Sequence, residues 1–336
     1  MKLTKEQLTN IALGTAYITE EEKGVHFHRF TKEQENYYKE TNNNFYLKAL
    51  GTAGVKLSFK TDSKALFIKG TTTEHPSRKY YSLDVEKDGK IIGSINNFEG
   101  AELASPYTVS ELQTGDFSKS FELGEGEKNI CVYMPWTAIT YISEFSLDDG
   151  ASLIPLKPSK TLIAFGDSIT QGYDALYSSN RYAGVLSTLL DAEEYNKAIG
   201  AEKFPPTLAK LRDSFSPDYI TVAYGTNDWG GDRKMFEENC TAFYKNLSEN
   251  YPNAKIFAIT PIWRSDFEDV RPFGPFSDIA EFIEKTVSSL PNVFCIHGFD
   301  FVPKSSEYYA DFRLHPNDKG FEFYANNLYN EIKKHL

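Results

Sequence analysis

The chain has 336 residues, long for one core and comfortable for two. Its formal charge of −11 argues against nucleic-acid binding, which needs a basic surface, and against attraction to anionic membranes. Three widely spaced cysteines, Cys131, Cys240 and Cys295, give neither a disulfide framework nor zinc-ligand spacing, so no metal or cofactor is expected.

The first twenty residues lack the apolar core of a signal peptide, and no run approaches a membrane span of about eighteen apolar residues. A cytoplasmic location is therefore expected. From about residue 23 to 146 the pattern is two-fold. Val55-Lys-Leu57-Ser-Phe59 alternates, Asp62-Ser63 can turn, and Ala65 to Ile68 begins another run. Tyr81 to Val85 leads into Asp88-Gly89, a strong hairpin signal, and Ile91-Ile92 follows. Phe121 to Leu123, a Gly124–Gly126 turn and Ile130 to Met134 continue the series. Short strands with little helical signal between them predict an antiparallel β-sandwich over residues 1–150. His26-Phe-His28 lies in this stretch, two imidazoles on one face of a solvated strand, too few ligands for a metal.

A Pro-containing linker follows, from Asp149 to Pro158, and then the period changes. Apolar strands at Thr161–Phe165, Tyr219–Tyr224, Ile256–Ile259 and Val293–Ile296 alternate with helical patterns at Tyr182–Leu190, Lys234–Glu249, Phe276–Leu290 and Lys319–Lys334. That alternation predicts a second, α/β domain over residues 159–336, a parallel sheet covered on both faces.

Function in such a sheet gathers at the C-terminal strand ends. Three polar segments qualify: Gly166-Asp167-Ser168-Ile169-Thr170-Gln171-Gly172, Gly225-Thr226-Asn227-Asp228, and Asp311 to Asp318 around His315-Pro316. A serine on a tight turn after a strand is a good place for a nucleophile. Asp167 and Asp228 read as loop-orienting groups, His297 as a second possible base at a strand end, and Trp263-Arg264 as rim residues suited to a sugar or an acid.

These blocks in this order, with Asn196-Lys-Ala-Ile-Gly200 between the first two, resemble the SGNH (GDSL-type) hydrolases over roughly residues 160–336. The sandwich-first layout, including Met134-Pro135-Trp136, looks like family 2 carbohydrate esterases. The resemblance implies a flavodoxin-like hydrolase domain behind a jelly-roll-like sandwich, and a serine carboxylic-ester hydrolase needing no cofactor. It also implies Ser168 as nucleophile, His315 as base, and an oxyanion hole from the Ser168 and Gly200 N–H groups with the Asn227 amide. The family places its acid three residues before the histidine. Here Phe312 fills that slot, and the acid is either Asp311 or absent, in a Ser–His dyad oriented by a backbone carbonyl. The expected substrate is a small acyl ester, acetyl on a carbohydrate first, so a small-molecule or oligosaccharide partner. A short-chain lipid ester and a non-catalytic carbohydrate-binding role are the alternatives.

Overall fold

The computed structural model describes residues 1–73 and 76–336. Helix α1 (Lys5–Ile11) leads into β1 (Ala12–Leu13), β2 (Tyr17–Glu21) and β3 (Gly24–His28), then α2 (Lys32–Thr41) and α3 (Asn43–Ala49). Eight more strands complete the first half: β4 (Lys56–Thr61), β5 (Ala65–Thr73), β6 (Ser82–Lys87), β7 (Lys90–Asn96), β8 (Asp116–Glu122), β9 (Lys128–Tyr133), β10 (Ile139–Leu147) and β11 (Ile154–Pro155). One sheet runs β1-β4-β9-β6-β7, with β11 pairing the same edge of β4 as β1, and the other runs β2-β3-β10-β5-β8. All these pairings are antiparallel, and from β3 to β10 the chain alternates between the sheets in jelly-roll order except at the β6–β7 hairpin, which stays in one sheet.

Period-two burial explains why two sheets form. Leu57 and Phe59 on β4, Leu66 and Ile68 on β5, and Ile130 and Val132 on β9 all point into one shared core. The β6–β7 hairpin turns on Asp88 and Gly89, whose φ angles of 48° and 79° match the twist of the flanking strands.

Two expectations needed correction here. The stretch read as purely β contains α2 and α3, and His26 and His28 are buried rather than solvated. His26 Nδ1 meets the Thr140 carbonyl at 2.9 Å, while His28 Nδ1 meets Glu35 of α2 at 2.9 Å. The helix covers the strand face that would otherwise carry water.

The second half contains β12 (Lys160–Gly166), α4 (Ser168–Gln171), α5 (Tyr182–Leu189), β13 (Ala192–Asn196), β14 (Tyr219–Ala223), α6 (Arg233–Asn250), β15 (Lys255–Ile259), α7 (Ser277–Val287), β16 (Val293–Ile296) and α8 (Asp318–Ile332). Its sheet is wholly parallel in the order β13-β12-β14-β15-β16. Helices cover both faces over two apolar clusters, one containing Phe243 and Leu247 of α6, the other Leu186 of α5 and Leu328 of α8. The strand order reverses beside β12, which opens a crevice at the C-terminal ends of β12 and β14.

The halves meet through buried polar contacts. Arg29, after β3, is fully buried and donates to the carbonyls of Lys48, Gly51, Asn196 and Ala198 at 2.8–3.0 Å. Lys48 Nζ reaches the Gly200 carbonyl at 2.8 Å, and Trp136 Nε1 reaches that of Ala175 at 2.9 Å. Among the described residues no helix is long and apolar enough to cross a membrane.

Candidate active site

Strand β12 ends at Gly166, and only glycine fits there. A Cβ would fall 2.2 Å from Thr170 Oγ1. Asp167 then caps α4, its Oδ1 accepting the Ile169 N–H at 3.0 Å. Burial pushes the Asp167 carboxyl up to about 6. The helix stops after one turn at Gly172, with φ 116°, so Ser168 is held at a sharp strand-to-helix corner over the crevice.

His315 lies just before α8, across that crevice. Its Nε2 stands 2.9 Å from Ser168 Oγ, and its Nδ1 stands 2.8 Å from Asp311 Oδ2. The pattern suits a tautomer with the proton on Nδ1, which leaves Nε2 free to accept from the serine.

The extra residue between Asp311 and His315 is absorbed by a tight turn. Phe312 takes a left-handed φ of 59°, and Asp311 Oδ1 accepts the N–H groups of Arg313, Leu314 and His315 at 2.9, 2.7 and 3.1 Å. The Ala310 N–H closes the loop on the His315 carbonyl at 2.8 Å. Burial alone would raise the Asp311 carboxyl. The hydrogen bond from His315, its charge and the backbone N–H donors outweigh burial and hold it well below the usual carboxylate range.

A second carboxylate, marked by no motif, faces the same imidazole. Asp174 Oδ2 is 3.4 Å from His315 Nδ1. Fully buried, Asp174 takes a bidentate pair from Arg78, Nε at 2.5 Å and Nη2 at 2.8 Å, and a hydrogen bond from Tyr80 OH at 2.7 Å. Arg78 and Tyr80 belong to the sandwich half, and Arg78 lies 96 positions from its partner, too far for any local pattern to link them. Asp174, Asp311 and His315 bring potential metal-ligating atoms within 4.8 Å of one another. Arg78 already matches the Asp174 charge there, and His315 Nδ1 already holds Asp311, so the arrangement reads as a hydrogen-bonded chain.

The expected oxyanion donors are less open. The single N–H of Gly200 donates to Gln171 Oε1 at 2.8 Å, so in this structure it is engaged within the protein. Asn227 Nδ2 donates to the Glu202 carbonyl at 3.1 Å, which leaves its second N–H uncommitted. Next to Gly200, Ala201 is exposed with φ 70°, and its N–H has no hydrogen-bond partner among the described residues. Beside it a cavity of about 480 Å³ is bounded by Tyr37 and Phe45 of the α2–α3 insertion, Lys203, and Asn239 of α6.

Arg264 does not offer a free guanidinium. It is buried, forks onto Asp266 at 2.5 and 2.9 Å, and donates to the Thr226 carbonyl at 3.0 Å. It therefore ties the loop after β14 to the loop after β15. Trp263 is half-buried, its ring 5.1 Å from that of Tyr309. His297 is exposed, with a Glu284 carboxylate of α7 at 3.6 Å, whereas the imidazole beside Ser168 Oγ is that of His315. Burial raises the Asp228 carboxyl to about 7 and that of Glu202 to about 8, with Tyr38 and Tyr224 donating to Glu202.

Residues 164–323 match the GDSL-like lipase/acylhydrolase family. The chain is similar in fold to the salicylyl-acyltransferase SsfX3 of a tetracycline biosynthetic pathway, at 19% identity over 96% of this chain and 94% of that one, with a TM-score of 0.77. A GDSL-like lipase candidate from Bacteroides ovatus gives 18% identity, 99% and 97% coverage and the same TM-score. A family 2 carbohydrate esterase from Clostridium thermocellum, solved with cellohexaose, gives 16% identity, 84% and 93% coverage and a TM-score of 0.64. No curated protein matches the chain.

Proposed function

We propose, from the match of residues 164–323 to the GDSL-like lipase/acylhydrolase family, a serine esterase that removes small acyl groups, acetyl first, from a carbohydrate alcohol. The observation that carries this reading is the unbroken chain from Ser168 Oγ through His315 to Asp311, with contacts of 2.9 and 2.8 Å.

Ser168 Oγ attacks the ester carbonyl while His315 Nε2 takes its proton. The imidazolium so formed is stabilised by the Asp311 carboxylate. The tetrahedral intermediate collapses, the ester C–O bond breaks, and His315 returns the proton to the departing alcohol. Water, deprotonated by the same nitrogen, then cleaves the acyl-enzyme and frees the carboxylic acid.

The Ser168 N–H and the free N–H of the Asn227 amide serve the developing oxyanion. Gly200 joins them only when Gln171 releases it, and the unpartnered Ala201 N–H next to it is the other available donor. Each such donor typically stabilises the transition state by roughly 2.7–4 kcal/mol.

The carbohydrate part rests on the cavity beside Ala201, where aromatic walls and an amide suit a sugar ring. It also rests on the sugar complex of the Clostridium thermocellum neighbour. A panel of p-nitrophenyl acyl esters and acetylated oligosaccharides, each run with the wild type and with Ser168→Ala, tests both parts. Ser168→Ala is expected to lose on the order of 10⁶-fold in kcat with its circular dichroism unchanged. Wild-type turnover by that variant removes Ser168 from the mechanism, and cleavage of aryl esters but no acetylated sugar removes the carbohydrate assignment.

A further inference from the structure

Resting on the proposed Ser168–His315 chemistry, we propose that the sandwich half controls the catalytic base electrostatically: Asp174 is a second carboxylate at His315, held neutralised by Arg78. Both are positioning residues, since neither lies against the reacting atoms.

Asp311 and Asp174 both face the Nδ1 edge of one imidazole, at 2.8 and 3.4 Å. Two unmatched carboxylates at that range would favour the imidazolium, which cannot accept the serine proton. Asp311 alone is enough to hold the ring and stabilise the imidazolium when it forms. Asp174 gives a further anchor without that penalty only because a cation is bound to it.

The construction around Asp174 fits this role. Both carboxylate oxygens are taken by Arg78 in a fork, Tyr80 OH adds a third bond, and Tyr107 OH holds its main-chain carbonyl at 2.6 Å. All three donors come from the sandwich. Arg78 is itself fixed, its carbonyl accepting Thr137 Oγ1 at 3.0 Å and its guanidinium lying 5.5 Å from the centre of the Tyr173 ring. Tyr173 in turn packs 5.9 Å, centroid to centroid, from the imidazole. A fully buried carboxylate satisfied this completely needs no histidine for its own stability, yet it sits beside one.

Of the other charged groups, Asp167 at the cap of α4, with Arg264 near it, interacts electrostatically with His315, while Arg313 is engaged by Asp266 and Asp318 accepts the Leu176 N–H at 2.8 Å. Among the described residues, only Asp311 and Asp174 bring a carboxylate oxygen within 4.0 Å of the imidazole Nδ1, at 2.8 and 3.4 Å.

The readout is the acid limb of kcat/KM against pH for p-nitrophenyl acetate. Arg78→Met leaves Asp174 unmatched and is expected to move the limb to higher pH by on the order of one unit. Asp174→Asn leaves the guanidinium unmatched and is expected to move it to lower pH. The double variant, with neither charge, is expected to return near the wild-type position. Opposite shifts that cancel are not produced by a merely structural ion pair. A limb unmoved in both single variants, or moved in the same direction by both, overturns the proposal. Should Arg78→Met fail to fold, Asp174→Asn decides alone: a limb at lower pH supports the proposal, and an unmoved or higher one overturns it. Wild-type turnover by Ser168→Ala or His315→Ala would instead sink the underlying esterase reading.

Discussion

Asp311 does two jobs with two oxygens. Oδ1 gathers three consecutive N–H groups and so builds the turn, while Oδ2 faces His315. The substitution Asp311→Asn separates these jobs. An amide oxygen can still accept the three N–H groups, so the turn and the fold are expected to survive. The amide nitrogen would then face Nδ1, and two donors cannot bond to each other. The ring is forced into the tautomer protonated on Nε2, which cannot take a proton from Ser168. A loss of roughly 10⁴-fold in kcat is expected, as in a serine-protease triad with the same change. A loss below about tenfold, with unchanged circular dichroism, would instead indicate a dyad. Ser168, His315 and Asp311 stand out in the sequence because they lie in short polar blocks, the first at the end of β12 and the other two just before α8. Asp174 was not legible, because its meaning depends on Arg78, which only the folded chain brings near.

The element that brings Asp311 to His315 is the loop from Tyr309 to Pro316, which a backbone bridge pinches at its base. The family spacing of acid and histidine is exceeded by one residue, and Phe312 takes up the excess at φ 59°, half exposed and with its N–H on the Tyr309 carbonyl at 3.0 Å. Glycine adopts that φ without the Cβ penalty, and little packing is lost. Phe312→Gly is therefore expected to keep kcat within a few-fold and stability within about 1 kcal/mol of wild type. Phe312→Pro forbids the positive φ and deletes the N–H, so it should lower kcat by orders of magnitude. Equal kinetics for the two variants would show that the turn does not set the site. Other elements were legible to different degrees for physical reasons. Strands β4, β5 and β9 show clean alternation because one face of each is core. Strand β13, Ala-Glu-Glu-Tyr-Asn, is a polar edge strand and carries no such signal. Helices α2 and α3 are short and poor in aliphatic residues, so periodicity misses them. The capping box of Thr31 and Gln34 at the start of α2 was present in the sequence and marks that helix without any periodicity.

At the scale of the whole molecule, the sandwich reaches the α/β half at both sides of the crevice. On one side Arg78, Tyr80 and Tyr107 hold Asp174 behind the imidazole. On the other, Arg29 and Lys48 hold the carbonyls of the loop that runs from Asn196 to Gly200, and Lys197 of that loop is buried against Asp213 at 2.7 Å while donating back to the Arg29 carbonyl. These are full charges and main-chain groups removed from water. Separating the halves without unfolding either would leave them to resolvate one by one, and Arg29 alone would abandon the carbonyls of Asn196 and Ala198. An interface of that kind does not open as a hinge between independent bodies, although a short Pro-containing linker joins the two halves covalently. Differential scanning calorimetry is therefore expected to show one cooperative transition covering both halves, with a calorimetric enthalpy matching the van't Hoff value. Arg29→Met should lower that single transition, since a fully buried hydrogen-bonding cation is lost from the centre of the interface, and should not split it unless the remaining contacts are dispensable. Two resolved transitions in the wild-type protein would mean that the sandwich folds and melts on its own, and the buried cations would then be consequences of docking rather than the means by which the two halves hold one site together.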